Sequence, residues 1–339
     1  MDRICFVEEK TGIKTGLTSN AENHEFVGVS DVGRNAWTNA NTKLMTYVAC
    51  ETGGINGYAS NSSLAYETCV TGGTCLAIGF NNIIYYSSAY EWSKNFNMYL
   101  ASGYGIYSAA VAANSYNYEN NSIKNLHLVY STTSPDLKLG IYDNSSELQT
   151  IIPSYMENDL ERKNILKESS NLLYNSDSNT ICEVLKRKNE DFNKEDYVMD
   201  YTTMTVTDAN SNTRENIEFV DFKFKIGDFY TNSGYTAVIE NNEITAIYDN
   251  TIPISQNAEL SLLENSKNSL NKKDVINMSN TYLKNLGEEY NIYIEENDVK
   301  YFYDIYTNKK YIEVPYISEY VNDNEGICLK SADVLKYEI

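Results

Sequence analysis

Few residues in this chain are placed to do chemistry. In "TKLMTYVACETGG" (Thr42–Gly54) a short apolar run ends at Ala49-Cys50 and breaks at once into Glu51-Thr52-Gly53-Gly54. A cysteine at the end of a strand, followed by a glycine turn, is carried out of the sheet, and the carboxyl ends of strands are where open α/β sheets place their sites. A thiol there acts as a nucleophile once ionised. A free cysteine has a pKa of about 8.5, so only about 3% is thiolate at pH 7, and a base is the next requirement. The plain alternative is an inert strand-end cysteine. The chain holds two histidines, His24 and His127. His24 lies upstream of Cys50 in the polar run "SNAENHEFVG", as a solvated loop residue or as the base. His127 lies in "NLHLVYSTT", an apolar strand, where a structural role is expected. Asp31 in "GVSDVG" is a turn aspartate or a pocket residue near the cysteine. The six cysteines form no C-x-x-C pattern and two histidines do not build a zinc site, so no metal and no cofactor are implied.

The elements that position these residues alternate. "KLMTYVAC" is a near-continuous apolar strand, as buried parallel strands are. "NSSLAYETCVTGG" reads as a helix capped by Asn61 or Ser62 and stopped at Gly72-Gly73, and "TCLAIGF" as a second buried strand. "SSAYEWSKNFNMYLASG" places Ala89, Trp92, Phe96 and Leu100 on one helical face, and "IYSAAVAANSYNY" does the same with Ile106, Ala109, Ala110 and Ala113. "NLHLVYSTT" returns as a third strand. Strands alternating with helices predict a parallel sheet covered on both faces.

From about Asp143 the composition shifts from Gly and Ala towards Glu, Lys, Asn and Asp. "DLERKNILKESSNLLYN" and "SNTICEVLKRKN" read as amphipathic helices. In "EFVDFKFKIGDF", Val220, Phe222, Phe224 and Ile226 alternate with Asp221, Lys223 and Lys225, the pattern of a half-buried strand. "YTAVIENNEITAIYD" is a hairpin around Asn241-Asn242, with Val238 and Ile244 close in space. A polar helical region near Ala258–Leu286 and three closing strands follow. The domains expected are 1–142, a linker at 143–158, and an α+β domain at 159–339.

A net charge of −20 argues against nucleic acid, which needs a surplus of Lys and Arg. No run reaches the roughly 20 apolar residues of a membrane span. The start "MDRICFVEEK" has no basic n-region or apolar h-region, so the chain as written reads as cytoplasmic, with a missing upstream export signal as the alternative.

In order and spacing, the pieces from Met1 to Leu139 resemble the caspase-like fold of cysteine peptidases, in its gingipain-like and CHAT-domain branches. "YVACETGG" resembles the nucleophile strand. "NSSLAYETCVTGGTCLAIGFNN" resembles the next helix and strand, "SAYEWSKNFNMYLASGYGIYSAAVAAN" the long helix and Ala-rich helix, and "STTSPDLKL" the closing segment, with Thr133-Ser134 in place of the usual Gly-Asp. The resemblance implies an α/β, mostly parallel sheet flanked by helices. It implies Cys50 as nucleophile, its backbone N–H in the oxyanion hole, and a peptide or protein substrate. It also implies a base in a His-Gly pair upstream, and no His-Gly occurs here. Two explanations follow. Either the chain begins after the strands that carry the base, leaving His24 as a weak substitute, or the domain is a pseudopeptidase scaffold whose C-terminal half binds a protein partner. An acidic residue two positions before the cysteine marks some Arg-specific relatives; here that position is Val48. An acyl-transfer enzyme using Cys50 on another fold is a third reading, without a cofactor signature to support it.

Overall fold

The computed structural model describes residues 3–7, 24–28, 42–139, 178–255, 262–263, 272–285, 290–322 and 327–339; the side chains of 3–7, 24–28 and 321–331 lie outside that description. The described residues are α/β, with one large mixed sheet, five helices and small antiparallel hairpins among them. In chain order the strands are β1 (Arg3–Val7), β2 (His24–Gly28), β3 (Leu44–Thr46), β4 (Gly54–Ile55), β5 (Tyr58–Ala59), β6 (Leu76–Phe80), β7 (Leu126–Tyr130) and β8 (Tyr197–Asp208). Then come β9 (Thr213–Ile226), β10 (Phe229–Glu240), β11 (Glu243–Asp249), β12 (Tyr290–Tyr293), β13 (Lys300–Asp304), β14 (Lys309–Asn322) and β15 (Ile327–Glu338). The helices are α1 (Leu64–Val70), α2 (Tyr86–Ala101), α3 (Ile106–Asn114), α4 (Ser178–Lys188) and α5 (Lys272–Lys284). The linker expected at 143–158, the helix expected over "DLERKNILKESSNLLYN" and Asp31 lie outside the described residues.

By contact density the chain forms two compact units, and each is discontinuous in sequence: unit 1 is Met1–Asn82, Leu126–Pro135 and Thr205–Glu215, and unit 2 is Ile83–Asn125, Asp136–Met204 and Asn216–Ile339. In unit 1, β3 runs parallel to β6, β6 antiparallel to β7, and β7 parallel to the end of β8. A mostly parallel sheet was expected, and the sheet is mixed. The reason lies in the connection. One crossover helix returns a chain in the same direction, but two, α2 and α3, stand between β6 and β7. Helix α1 starts as its sequence dictates, with Ser63 accepting the Tyr66 N–H at 3.2 Å, one or two residues beyond the cap expected. It packs Ala65 and Cys69 on Ala77 and Val129. Burial pushes the Cys69 thiol up to about 12, so it is inert.

In unit 2 one face of the β9–β10 hairpin packs Val220, Phe222, Tyr235 and Ala237 against Ile181, Val184 and Leu185 of α4. The other face is polar and also covered. Asp221 and Lys124 are fully buried, with Lys124 Nζ 2.5 Å from Asp221 Oδ1. The same carboxylate accepts from Asn121 Nδ2 at 2.8 Å and from the Thr236 hydroxyl at 2.5 Å. Lys223 Nζ donates to the Tyr118 carbonyl at 2.7 Å. The alternation read as a half-buried strand therefore belongs to one buried on both faces at this point. The covering segment is held by α2 and α3, where Trp92 stacks on Phe96 and donates to Asn114 Oδ1 at 2.7 Å.

Candidate functional site

The Cys50 loop grows out of β3. Its first residue still pairs with the neighbouring strand, Tyr47 N–H to Ile78 O at 2.9 Å. The chain then leaves the sheet through Val48–Glu51 and returns at Gly53, whose N–H donates to Phe80 O at 2.9 Å. Thr52 pins the excursion: its hydroxyl lies 3.1 Å from Tyr47 O and 2.9 Å from Ala49 O, and it accepts the Phe80 N–H at 3.1 Å. Glu51 takes a left-handed backbone with φ 57°, a conformation that costs a non-glycine residue about 1–2 kcal/mol. The glycine pair has a steric cause. A Cβ on Gly53 would stand 2.5 Å from Gly79 O, and one on Gly54 would stand 1.8 Å from Tyr58 O.

Cys50 is half-buried and forms no disulfide. It sits in this loop four residues beyond the end of β3, and β3 is the last strand in the order β8-β7-β6-β3. The strand expected to run to Cys50 therefore ends earlier, at Thr46. The apolar run "YVAC" does not continue the strand because Thr52, not Val48 or Ala49, satisfies the backbone groups beside β6. Val48 on this loop and Ile55 and Tyr58 on the β4–β5 hairpin that follows it are exposed.

The two histidines fare differently. His24 opens β2 opposite Val7 in a two-stranded antiparallel sheet, and its side chain lies outside the described residues. His127 is fully buried on β7, opposite Gly79. Its Nδ1 is 2.9 Å from Gly53 O and its Nε2 is 2.7 Å from Thr207 Oγ1. A carbonyl cannot donate, so Nδ1 carries the proton and Nε2 accepts from the Thr207 hydroxyl. Burial drives the imidazole pKa down to about 4, against the smaller opposing effect of the Gly53 carbonyl. The ring is neutral at pH 7 with both nitrogens committed, and it braces the Cys50 loop from behind.

Asn81, directly after β6, is fully buried, and neither end of its amide has a hydrogen-bond partner; its Oδ1 lies 2.8 Å from where a Gly53 Cβ would be. Sequence reading missed this residue and Thr207. A histidine inside an apolar strand signals a buried partner, but nothing in the sequence names which one. Among the described residues no group of three or more His, Cys, Asp or Glu side chains stands close enough to hold a metal. No described helix is long and apolar enough to cross a membrane. Comparison with protein-family models, with curated proteins and with solved structures finds no match to this chain.

Proposed function

We propose that the first 142 residues form a caspase-like cysteine-peptidase domain with Cys50 at the nucleophile position, and that the domain in this chain holds polypeptide rather than hydrolysing it. Two features support the placement of Cys50. Its loop lies at the carboxyl ends of the parallel pair β3 and β6, and the hairpin that follows it exposes Ile55 and Tyr58. The observation that carries the non-catalytic half of the reading is His127. It is the one histidine whose side chain is described, and its Nδ1 and Nε2 are occupied by Gly53 and Thr207. A base typically contributes about 10² to 10⁴-fold to such chemistry.

The test is a fluorogenic-casein and peptide-library assay on the full chain, its Cys50→Ala variant and its His24→Ala variant. The expected result is no turnover beyond background in any of the three. Turnover lost in Cys50→Ala alone would overturn the non-catalytic half. Turnover lost in both variants would in addition make His24 the base.

A further inference from the structure

Lys124 and Asp221 stand 97 residues apart in sequence, both side chains are fully buried, and Nζ lies 2.5 Å from Oδ1. A carboxyl carbon is about 1.2 Å from its oxygen, so Nζ is at most about 3.7 Å from Cγ. That is close to the separation of about 3–3.5 Å at which held groups react. Both partners are fixed in place. Asn114 Nδ2 donates to the Lys124 carbonyl at 3.0 Å, which anchors the backbone that carries the amine. Asp221 lies opposite Thr236 in the β9–β10 register, and the Thr236 hydroxyl donates to Oδ1 at 2.5 Å. Asn121 Nδ2 donates to Oδ2 at 2.8 Å, so each carboxyl oxygen has its own donor. The Tyr118 ring stands 5.9 Å from Nζ, and Tyr118 and Ile123 are themselves buried.

In so dry a site the two charges have lost their hydration. Transfer of one proton turns them into an amine and an acid, neutral groups that burial favours. Burial raises the Asp221 pKa, the direction that this transfer needs. A neutral amine is a nucleophile. The donors on the two oxygens are placed to stabilise the charge that develops when a carboxyl carbon is attacked. A pair held in contact also reacts as one molecule, an advantage that reaches about 10⁵–10⁸ M in effective concentration.

We propose that Lys124 and Asp221 condense to an intramolecular isopeptide bond, a covalent staple between the segment laid over the sheet and β9. The ion pair is its reactant. One proton passes from Nζ to Oδ1, and the nitrogen lone pair attacks Cγ. Asn121 holds Oδ2, the oxygen that stays as the amide carbonyl. A second Nζ proton reaches Oδ1 through the Thr236 hydroxyl, the Cγ–Oδ1 bond breaks, and one water leaves. No oxidant, cofactor or second protein takes part, and one amide replaces two buried charges.

The test is the intact mass of the full chain under denaturing conditions, after incubation at neutral pH until the mass no longer changes. The expected mass is one water below that of the sequence. Digestion should yield a branched peptide that joins the stretch around Lys124 to the stretch around Asp221. Lys124→Arg keeps the charge and cannot form the bond, so it should show no loss of water. Thr236→Val should slow the loss by about tenfold or more in freshly made protein. A wild-type chain at full mass with no branched peptide is an ion pair only and overturns the proposal. Water loss that persists in Lys124→Arg, or a branch at another lysine, overturns it as well. An unchanged rate in Thr236→Val overturns the proton path through that hydroxyl. Where Lys124→Arg fails to fold, the fragment spectrum of the wild-type branched peptide still decides, because it reads the two joined residues directly.

Discussion

Replacing Lys124 with methionine keeps the length of the side chain and deletes its charge. In the native protein the ammonium sits 2.5 Å from Asp221 Oδ1, and both side chains are fully buried. Burial raises the Asp221 pKa, and Lys124 is the largest force opposing it. Without that lysine the carboxylate keeps Asn121 and Thr236 as donors but only the weaker effect of the Lys223 charge against it. Breaking a buried pair from one side costs about 3–5 kcal/mol. At roughly 2–4 °C per kcal/mol for a unit of this size, the thermal midpoint should fall by roughly 6–20 °C. Two further results follow from the same cause. Asp221 in the variant has a folded pKa above its unfolded value of about 3.9, so the variant gains stability relative to wild type as pH falls, and the deficit is largest at neutral pH. Adding Asp221→Asn, which keeps its side-chain bonds to Asn121 and Thr236 with a neutral group, should recover part of the loss, a coupling of about 1–3 kcal/mol. Urea unfolding followed by the fluorescence of buried Trp92 measures all three. A Lys124→Met variant within about 1 kcal/mol of wild type, or strictly additive single and double variants, would refute the reasoning.

Gly53→Ala and Gly79→Ala should each destabilise by about 1–3 kcal/mol, because the two backbones leave no room for a methyl from either side; urea midpoints check this, and an unchanged midpoint in either variant contradicts it. His127 should show a protonated Nδ1 and a bare Nε2 by ¹⁵N NMR at pH 7. With a folded pKa of about 4 against about 6.5 unfolded, the stability it contributes is complete above pH 6.5 and is lost as pH falls towards 4, a ring that titrates near 6.5 being the contrary result. Glu313 is fully buried, and burial followed by the Glu119 charge pushes it up to about 7. The stability it contributes is complete below about 4.5 and is lost as pH rises through 7, about 3 kcal/mol in all, so Glu313→Gln should flatten the unfolding profile between pH 4.5 and 7.

Local signals in the sequence were reliable where the cause was local. The stripe Ala89, Trp92, Phe96 lies on the buried face of α2, because a 3.6-residue period is a property of the helix alone. Asn241 and Asn242 both take positive φ, 52° and 62°, as the tight turn between β10 and β11 requires. The register was less legible. The two-residue turn sets Ile244 opposite Ile239, and a bulge between Val238 and Ile239 then sets Val238 opposite Ala246 instead of Thr245; that extra residue is invisible to an alternation count. Strand β15 was not anticipated at all. It pairs with β14 along its whole length, and its order comes from that partner more than from its own pattern. The composition shift near Asp143 likewise says nothing of which distant segments pack together, and unit 1 gathers residues as far apart as Tyr47 and Thr207.

The polar face of β9 shows most plainly why a site of this kind escapes sequence reading. Asp221 and Lys223 alternate with large apolar residues, and alternation reports that two faces differ, not that one of them is wet. What decides burial is the segment laid over that face. That segment, "YENNSIKN" around Lys124, reads in the sequence as a polar turn, yet Asn121 and Lys124 are buried in it. Once covered, each charge there requires a partner. The demand extends from Lys124 and Asp221 to Lys223, and in the same unit to the cluster of Glu119, Lys300, Glu313 and Lys336. Not every demand is met. Glu119 Oε1 and both Glu313 oxygens are buried without a hydrogen bond, although Lys336 and Lys300 stand within ion-pair distance of Glu313. A buried network that served packing alone would be cheaper as hydrocarbon. Here it ends at the wall of an open cavity, where Glu119 and Lys336 are both lining residues. The Glu119 oxygen left without a hydrogen bond is itself closed off from solvent, so its carboxylate is offset from one side only, by Lys336 at 3.0 Å from Oε2.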